Sequence, residues 1–335
     1  MHFFLKNYLD TIPVSSNSLG QFFGVDGKQL QQQYKEHLSN YNEWEQIGHA
    51  HEWIVFPQNI GHFLTIDETA LSQGELYTII TNKAAHGKKG TIVAMIKGTQ
   101  SQTVIDVLMK ISQHKRHQVK EVSLDMAANM VKIVSVAFPK AVQVTDRFHV
   151  QQLVFDAVQE LRIKYRWQAI DDENAKILFA KENKQKYEPE ILSNGDTLKQ
   201  LLARSRFVLF KSSSRWTATQ QDRAELLFEL YPKLKIAYDL AMKLNFIFEQ
   251  TRDKGIALTR LAQWYNKVEE SKLESFQTVV RTIQSHYLSI LNFFNNRSTN
   301  AAAESFNAKI KAFRSSFRGV RDINFFLFRL SKIYA

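Results

Sequence analysis

A chain of 335 residues is long enough for about two or three domains and for a core that needs no covalent staples. It holds no cysteine, which excludes disulfides, zinc knuckles and thiol chemistry. Its 44 Lys and Arg outnumber 33 Asp and Glu for a formal charge of +11, which points to a polyanionic partner such as nucleic acid. No stretch of about eighteen apolar residues is present, and the apolar run in MHFFLKNYLDTIPVSSN is too short for a secretion signal. The expectation is a soluble, cytoplasmic protein with no membrane partner.

Residues 1–58 read as a helical DNA-binding region. Within it, residues 17–39 show two short helical patterns hinged at Gly24 to Gly27. Leu19, Phe22 and Phe23 are expected to pack against Leu30, Tyr34 and Leu38. Lys28, Gln31, Gln32 and Lys35 then fall on the outer face, as a helix-turn-helix reader needs. A plain helical hairpin fits the same pattern.

From residue 59 to 150 the period changes. HFLTIDETAL, ELYTIITNKA and GTIVAMIKGT are β-rich runs separated by short turns, and they predict an antiparallel meander. A helix follows over residues 101–114, then VKEVSLDM as a strand, ANMVKIVSVAF as a helix and AVQVTDRFHV as a strand. Three antiparallel strands followed by alternating helix and strand predict a five-stranded mixed sheet with parallel additions, the ribonuclease-H-like layout. Residues 151–292 read as helices throughout, an all-α insertion, with residues 181–196 as a charged loop carrying Pro189 and Gly195. Residues 293–335 return to the core as its final helices.

The carboxylates carry the chemistry. Asp67 lies in the first predicted strand, in the apolar setting FLTID, where a charge needs a partner. Asp125 ends the fourth, and in this sheet order the first and fourth strands are neighbours. Two adjacent carboxylates repel, and a divalent cation is the usual reason to keep them together. Oxygen ligands without Cys favour Mg²⁺ or Mn²⁺. Glu304, behind three alanines at the start of the last basic helix, would complete the set. Phe306, Ile310, Phe313 and Phe317 form that helix's apolar stripe, with Glu304, Asn307 and Lys311 nearly opposite, so a solvated Glu304 fits the pattern as well. Asp146 and His149 stand at the exit of the last predicted strand, beside Arg147. His49 and His51, and His114 and His117, have ligand-like spacing but no convincing acid partners. Trp216 is open to two readings, stacking on an unpaired base or core packing.

With these stretches in hand the sequence resembles the DDE transposases of bacterial insertion sequences, ISL3 type, over residues 63–329. The resemblance rests on TIDET, VSLDMAANM, AFPKAVQVTDRFHV, LLARSRFVL, PKLKIAYDL, STNAAAESFNAKIKAF and FRGVRDINFFLFRL. It implies Asp67, Asp125 and Glu304 as the catalytic, metal-holding triad, and Asp146 and His149 as a supporting Asp-x-x-His pair. The zinc-finger N-terminus usual in such proteins is missing here, so end recognition would come from the helix-turn-helix, the insertion or a separate subunit.

The implied activity is Mg²⁺- or Mn²⁺-dependent, with two ions, and cleaves DNA at the element's ends before joining the freed 3′ hydroxyl to target DNA. The implied partners are double-stranded DNA, as terminal inverted repeats and target, and further copies of the chain assembled on it near the nucleoid. Phosphate and groove contacts are expected from Lys28, Gln31, Lys35, Arg147, Asn307, Lys311, Arg314 and Arg318. Two other readings stand beside this one: a metal-dependent nuclease on the same fold, and an inactive or domesticated DNA-binding protein.

Overall fold

The computed structural model describes residues 2–72, 74–317 and 320–335. The chain forms two compact units, Met1–Asp146 together with Ser298–Ala335, and Arg147–Arg297.

The first unit is built on a six-stranded mixed sheet: β1 (Trp53–Val55), β2 (Phe63–Ser72), β3 (Glu75–Asn82), β4 (Ile92–Lys97), β5 (Glu121–Leu124) and β6 (Val142–Thr145). Their spatial order is β1-β4-β3-β2-β5-β6, with β2, β3, β4 and β1 antiparallel and β5 and β6 added parallel to β2. Five strands were expected. The sixth, β1, has three residues and ends just before Phe56-Pro57, too short to show alternation.

Alternation along β2 sorts the sheet's two faces. Leu64 and Ile66 point into a core shared with Ile80, Ile96, Val122 and Leu124, covered by the helices Ser101–Leu108 and Ala128–Ala137. The first of these stops at Leu108, shorter than the sequence suggested, and a separate short helix, Gln113–His117, follows. Leu71 belongs to the opposite core, with Tyr77, Ile79 and Met95, against Phe306, Ile310 and Phe313 of the helix Ala301–Ser316. The last helix, Ile323–Tyr334, adds Phe326, Leu327 and Leu330 to the same core.

The N-terminal segments fold onto this unit. Ser15 caps the helix Ser16–Phe23, Gly24 closes it at φ +68°, and Asp26 caps the helix Gly27–Gln33 with both the Lys28 and Gln29 amides. A Cβ at Gly20 would meet the Val25 carbonyl at 2.6 Å, so the two helices cross only because that residue is glycine. Leu19, Leu30 and Tyr34 are buried with Phe325 and Phe328, and Phe23 and Leu38 pack at the edge of this cluster. Phe22, expected inside, is 82% exposed. The helix presents its Leu19 and Phe23 row to the core, and Phe22 falls on the adjoining solvent side. Arg329 is fully buried beneath these helices, its guanidinium over the rings of Tyr34 and Phe313 and bonded to the Val14 carbonyl. Burial holds its pKa down at about 10.

The second unit is helical throughout. It opens with the 36-residue helix Arg147–Glu182. The strand expected to run through Val150 therefore ends at Thr145, and DRFHV is a strand-to-helix junction. Capping boxes at Thr197 and Thr217 and a proline at the start of Pro232–Gln250 set later helix starts. Asp196, buried, is paired with Arg204 and Arg223. Trp264 donates to the Leu240 carbonyl at 2.9 Å within a core that includes Leu227, Leu244, Phe248, Phe276 and Phe293. Trp216 packs against Phe228 and Tyr238 and donates to Val208, which accounts for it without a nucleic-acid role.

Phe306 lies edge-on to Tyr334 with ring centroids 5.0 Å apart and is buried. Truncation by Phe306→Ala is expected to cost about 3–5 kcal/mol, read as a lowered denaturant midpoint. A loss below about 1 kcal/mol would mean that the aromatic row does not hold this helix to the sheet.

Candidate active site

The strand register brings the aspartates together. β2 pairs β5 in parallel, with Phe63 opposite Glu121, Leu64 opposite Val122 and Thr65 opposite Ser123. Two residues further on, the same register sets Asp67 opposite Asp125. β5 pairs β6 with Leu124 opposite Thr145, and the Asp146 amide donates to the Leu124 carbonyl at 3.0 Å. One step on, Asp146 falls opposite Asp125. Parallel partners share a face, so the three aspartates fall on one face of adjacent strands, Asp67 midway along β2 and Asp125 and Asp146 just past the C-terminal ends of β5 and β6, about 5 Å apart from strand to strand. That face is the one covered by Ala301–Ser316, and the C-terminal ends of parallel strands are where ligands commonly bind in α/β sheets.

Asp67 and Asp125 each accept from neutral donors. Asp67 Oδ1 accepts from the Glu68 amide at 2.8 Å, and Asp67 Oδ2 from the Asn307 side-chain amide at 2.7 Å. Asp125 Oδ1 accepts from the Ala127 amide at 2.9 Å, in the turn that opens the next helix. Asp146 is only 2% exposed. Among the described residues no three His, Asp or Glu side chains are gathered at metal-ligand distance. Adjacent carboxylates repel when ionised, and the hydrogen bonds to Asp67 and Asp125 hold those two in place.

Glu304 is exposed, in the first turn of its helix. Asn300, Glu304 and Asn307 form one row of that helix, and both asparagines are buried. Residues three apart on a helix have Cβ atoms roughly 5–6 Å apart, so Glu304 stands about one turn before Asn307, the residue in contact with Asp67. Asn307 was expected on the outer, DNA-facing surface. It turns inward because the sheet offers it a carboxylate. The buried Asn300 amide has no hydrogen-bond partner among the described residues. The donor set is all oxygen and amide, on one face, and fits a hard divalent ion held chiefly by Asp67 and Asp125.

Other expected residues are spread more widely. Arg314 donates to the carbonyls of Ala70 and Leu71 at the end of β2, and Lys35 pairs with Asp322 at 2.6 Å. Lys28 and Lys311 are exposed and Gln31 is half-buried. Arg147 and His149 lie in the first turn of Arg147–Glu182, in the second unit. Arg318 falls outside the described residues. His49 stacks on Trp53, and His114 is hydrogen-bonded with Gln118.

Lys83 escaped the sequence reading. It follows β3, is mostly buried, and its Nζ lies 3.2 Å from Glu121 Oε1 and 2.5 Å from Ser123 Oγ, with Ser298 Oγ also in contact. Burial lowers its pKa, against the opposing pull of Glu121 and then Asp146. Nothing in its sequence surroundings marks it. The alignment of Glu304 with Asn307, by contrast, was visible on one side of the helix, whereas the buried Asn300 escaped the sequence reading.

The family model of the ISL3-type DDE transposases, described as "Transposase", matches residues 64–330. No curated protein matches the chain. The matched span begins one residue into β2 and runs into the last helix, so it contains the three aspartates, Glu304 and Asn307.

Asn307→Asp would replace the amide donor by a second carboxyl against Asp67. Like charges raise the folded-state pKa of one of the two, so the stability involved is present at acid pH and lost as pH rises through that raised value. In chelator-containing buffer the variant is expected to match the wild type near pH 4 and to be about 1–3 kcal/mol less stable at pH 7, by denaturant unfolding. A difference that does not vary with pH would show that residue 307 does not face Asp67.

Proposed function

The chain belongs to the ISL3-type DDE transposase family, and from that premise we propose that it cuts DNA at the ends of an insertion sequence and joins the freed ends to target DNA. The observation that carries the reading is the register of β2 on β5, which sets Asp67 and Asp125 side by side on one face, with Asn307, one turn from Glu304, bonded to Asp67.

Asp67, Asp125 and Glu304 are the residues that would hold Mg²⁺ or Mn²⁺. When bound, two such ions neutralise the phosphodiester, activate the attacking oxygen and stabilise the leaving 3′ oxygen. The chain supplies orientation. Asn307 and the Glu68 amide fix both oxygens of Asp67, and the Ala127 amide fixes one of Asp125. Asp146 and His149 act as supporting groups, Asp146 from the neighbouring strand end. Water as nucleophile breaks the P–O3′ bond and leaves a 3′ hydroxyl; that hydroxyl then attacks a target phosphodiester in line, and a target 3′ oxygen leaves. No covalent enzyme intermediate is required.

DNA recognition divides by chemistry. Lys28 and Gln31 on the helix Gly27–Gln33 are the base-edge candidates of a helix-turn-helix reading. Lys311 and Arg147 are backbone contacts, which fix position without reading sequence. Lys35, Arg314 and Asn307 spend their donors within the protein and serve mainly to hold it together. The helical unit Arg147–Arg297 is the insertion on which DNA and further copies of the chain would assemble. A separate subunit for end recognition remains part of the reading, because no zinc finger is present.

The deciding experiment incubates the protein with duplexes carrying the source element's ends in Mg²⁺ or Mn²⁺ and follows nicking and strand transfer. Asp67→Asn, Asp125→Asn and Glu304→Gln are each expected to abolish both steps while DNA binding survives. Asp146→Asn and His149→Ala are expected to slow them about 10- to 100-fold. Near-normal cleavage by any of the first three would remove that residue from the triad, and cleavage without joining would make the protein a nuclease. Lys28→Glu with Gln31→Ala is expected to reduce discrimination between element ends and random DNA; unchanged discrimination would move end recognition to the insertion or a partner.

A further inference from the structure

The underside of the aspartate row carries a cation that the reaction scheme does not use. In β5, Glu121, Ser123 and Asp125 alternate onto one face, and Asp67 and Asp146 share that face through the two parallel registers. Thr65 and Thr81, hydrogen-bonded to each other, continue the same layer, and Lys83 follows two residues later on the same side. Its side chain runs up this face until the ammonium reaches Ser123, with Glu121 below and Ser298 beside it. Two residues along a strand span about 6.6 Å, so the ammonium sits one step beneath the aspartates. It is 15% exposed, and at that depth its charge is poorly screened.

Glu121 pairs with the same ammonium at 3.2 Å from a strand position two residues before Ser123, and so neutralises it in part. The ammonium also reaches Ser123, the strand position next below Asp125 on this face, so the positive end of the pair is set toward the row. A unit charge about 7 Å away in a partly buried setting changes the free energy of a divalent ion by more than thermal energy.

We propose that Lys83 is a resident counter-cation of the aspartate row, set one step below it so that the row stays together without metal and binds a divalent ion less tightly. The inference rests on the metal-dependent reading above and concerns how readily that site loads. It gives the first unit a means of holding adjacent carboxylates close, at the expense of metal affinity.

The alternative is a plain structural clasp, in which the Lys83 contacts only tie Ser298 to β5. The two differ in sign. Mn²⁺ binding to the full-length protein, followed by titration calorimetry in the absence of DNA, separates them. For a counter-cation, Lys83→Met tightens Mn²⁺ binding about tenfold, Lys83→Arg leaves it nearly unchanged, and Glu121→Gln, which leaves Lys83 unneutralised, weakens it. A clasp is broken by either Lys83→Met or Glu121→Gln, so both weaken binding or neither alters it, and that result overturns the proposal. Should Lys83→Met alone fail to fold, the double variant Lys83→Met, Glu121→Gln must bind Mn²⁺ more tightly than Glu121→Gln; equal or weaker binding overturns the proposal equally. Asp67→Asn is the control for the site itself. If it leaves Mn²⁺ binding intact, the metal-site reading fails; if it abolishes binding while the Lys83 and Glu121 variants move together, only the counter-cation inference fails.

Discussion

The pairing of β2 with β5 is the constraint on which the site depends. Side chains alternate faces along a strand, so a slip of one residue would send Asp67 into the apolar layer of Ile66 and Leu124 and turn Ile66 toward the polar face. Leu64 and Ile66 on one side and Thr65 and Leu71 on the other make that slip costly, because both faces of β2 are covered. The register is thus enforced by apolar burial, and the aspartates inherit their alignment from it. The same logic carries across to β6, where Val144 is buried beside the Ser123 layer and Asp146 follows Asp125.

Around this alignment the polar groups are arranged in levels. At one level stand the carboxylates, of which Asp67 and Asp125 are held by the amides of Glu68, Ala127 and Asn307. One level down lie hydroxyls and an ammonium: Thr65, Thr81, Ser123 and Lys83. Further toward β3 and β4 the face turns apolar, with Ile79, Met95 and the rings of Phe306 and Phe313. The helix Ala301–Ser316 crosses from one regime to the other along its own length. Its first two turns bear Asn300, Glu304 and Asn307, while Phe306, Ile310 and Phe313 anchor the rest.

Much of this was legible in the sequence, for identifiable reasons. Strands β2 to β6 announce themselves by alternation and by turn residues, and the order of elements is enough to make β2 and β5 neighbours. The apolar stripe of Phe306, Ile310 and Phe313 has an unmistakable helical period. What the sequence did not disclose depends on contacts between distant segments. Asn307 looks like a surface residue by periodicity, and only a carboxylate 240 residues away draws it inward. Phe22 has the composition of a core residue and sits in an apolar cluster by number, yet it is left outside because Leu19 and Phe23 already fill the row. The junction DRFHV reads as β-rich from its branched and aromatic residues, but a helix of 36 residues begins at Arg147. Lys83 is one lysine among many, and its setting is created wholly by β5 and Ser298.

The split of the first unit into two chain segments has a bearing on biosynthesis. A ribosome releases β2, β5 and the strand end bearing Asp146 well before it reaches Glu304 and Asn307, which arrive after the whole of Arg147–Arg297. Segments so far apart in sequence are joined late, since long chain closures precede the contacts that reward them. A nascent or prematurely terminated chain therefore carries aspartates that no helix has yet covered, with Asp67 lacking the amide of Asn307 and the Leu71 and Ile79 layer open to water. Such fragments expose apolar surface until the final helices arrive.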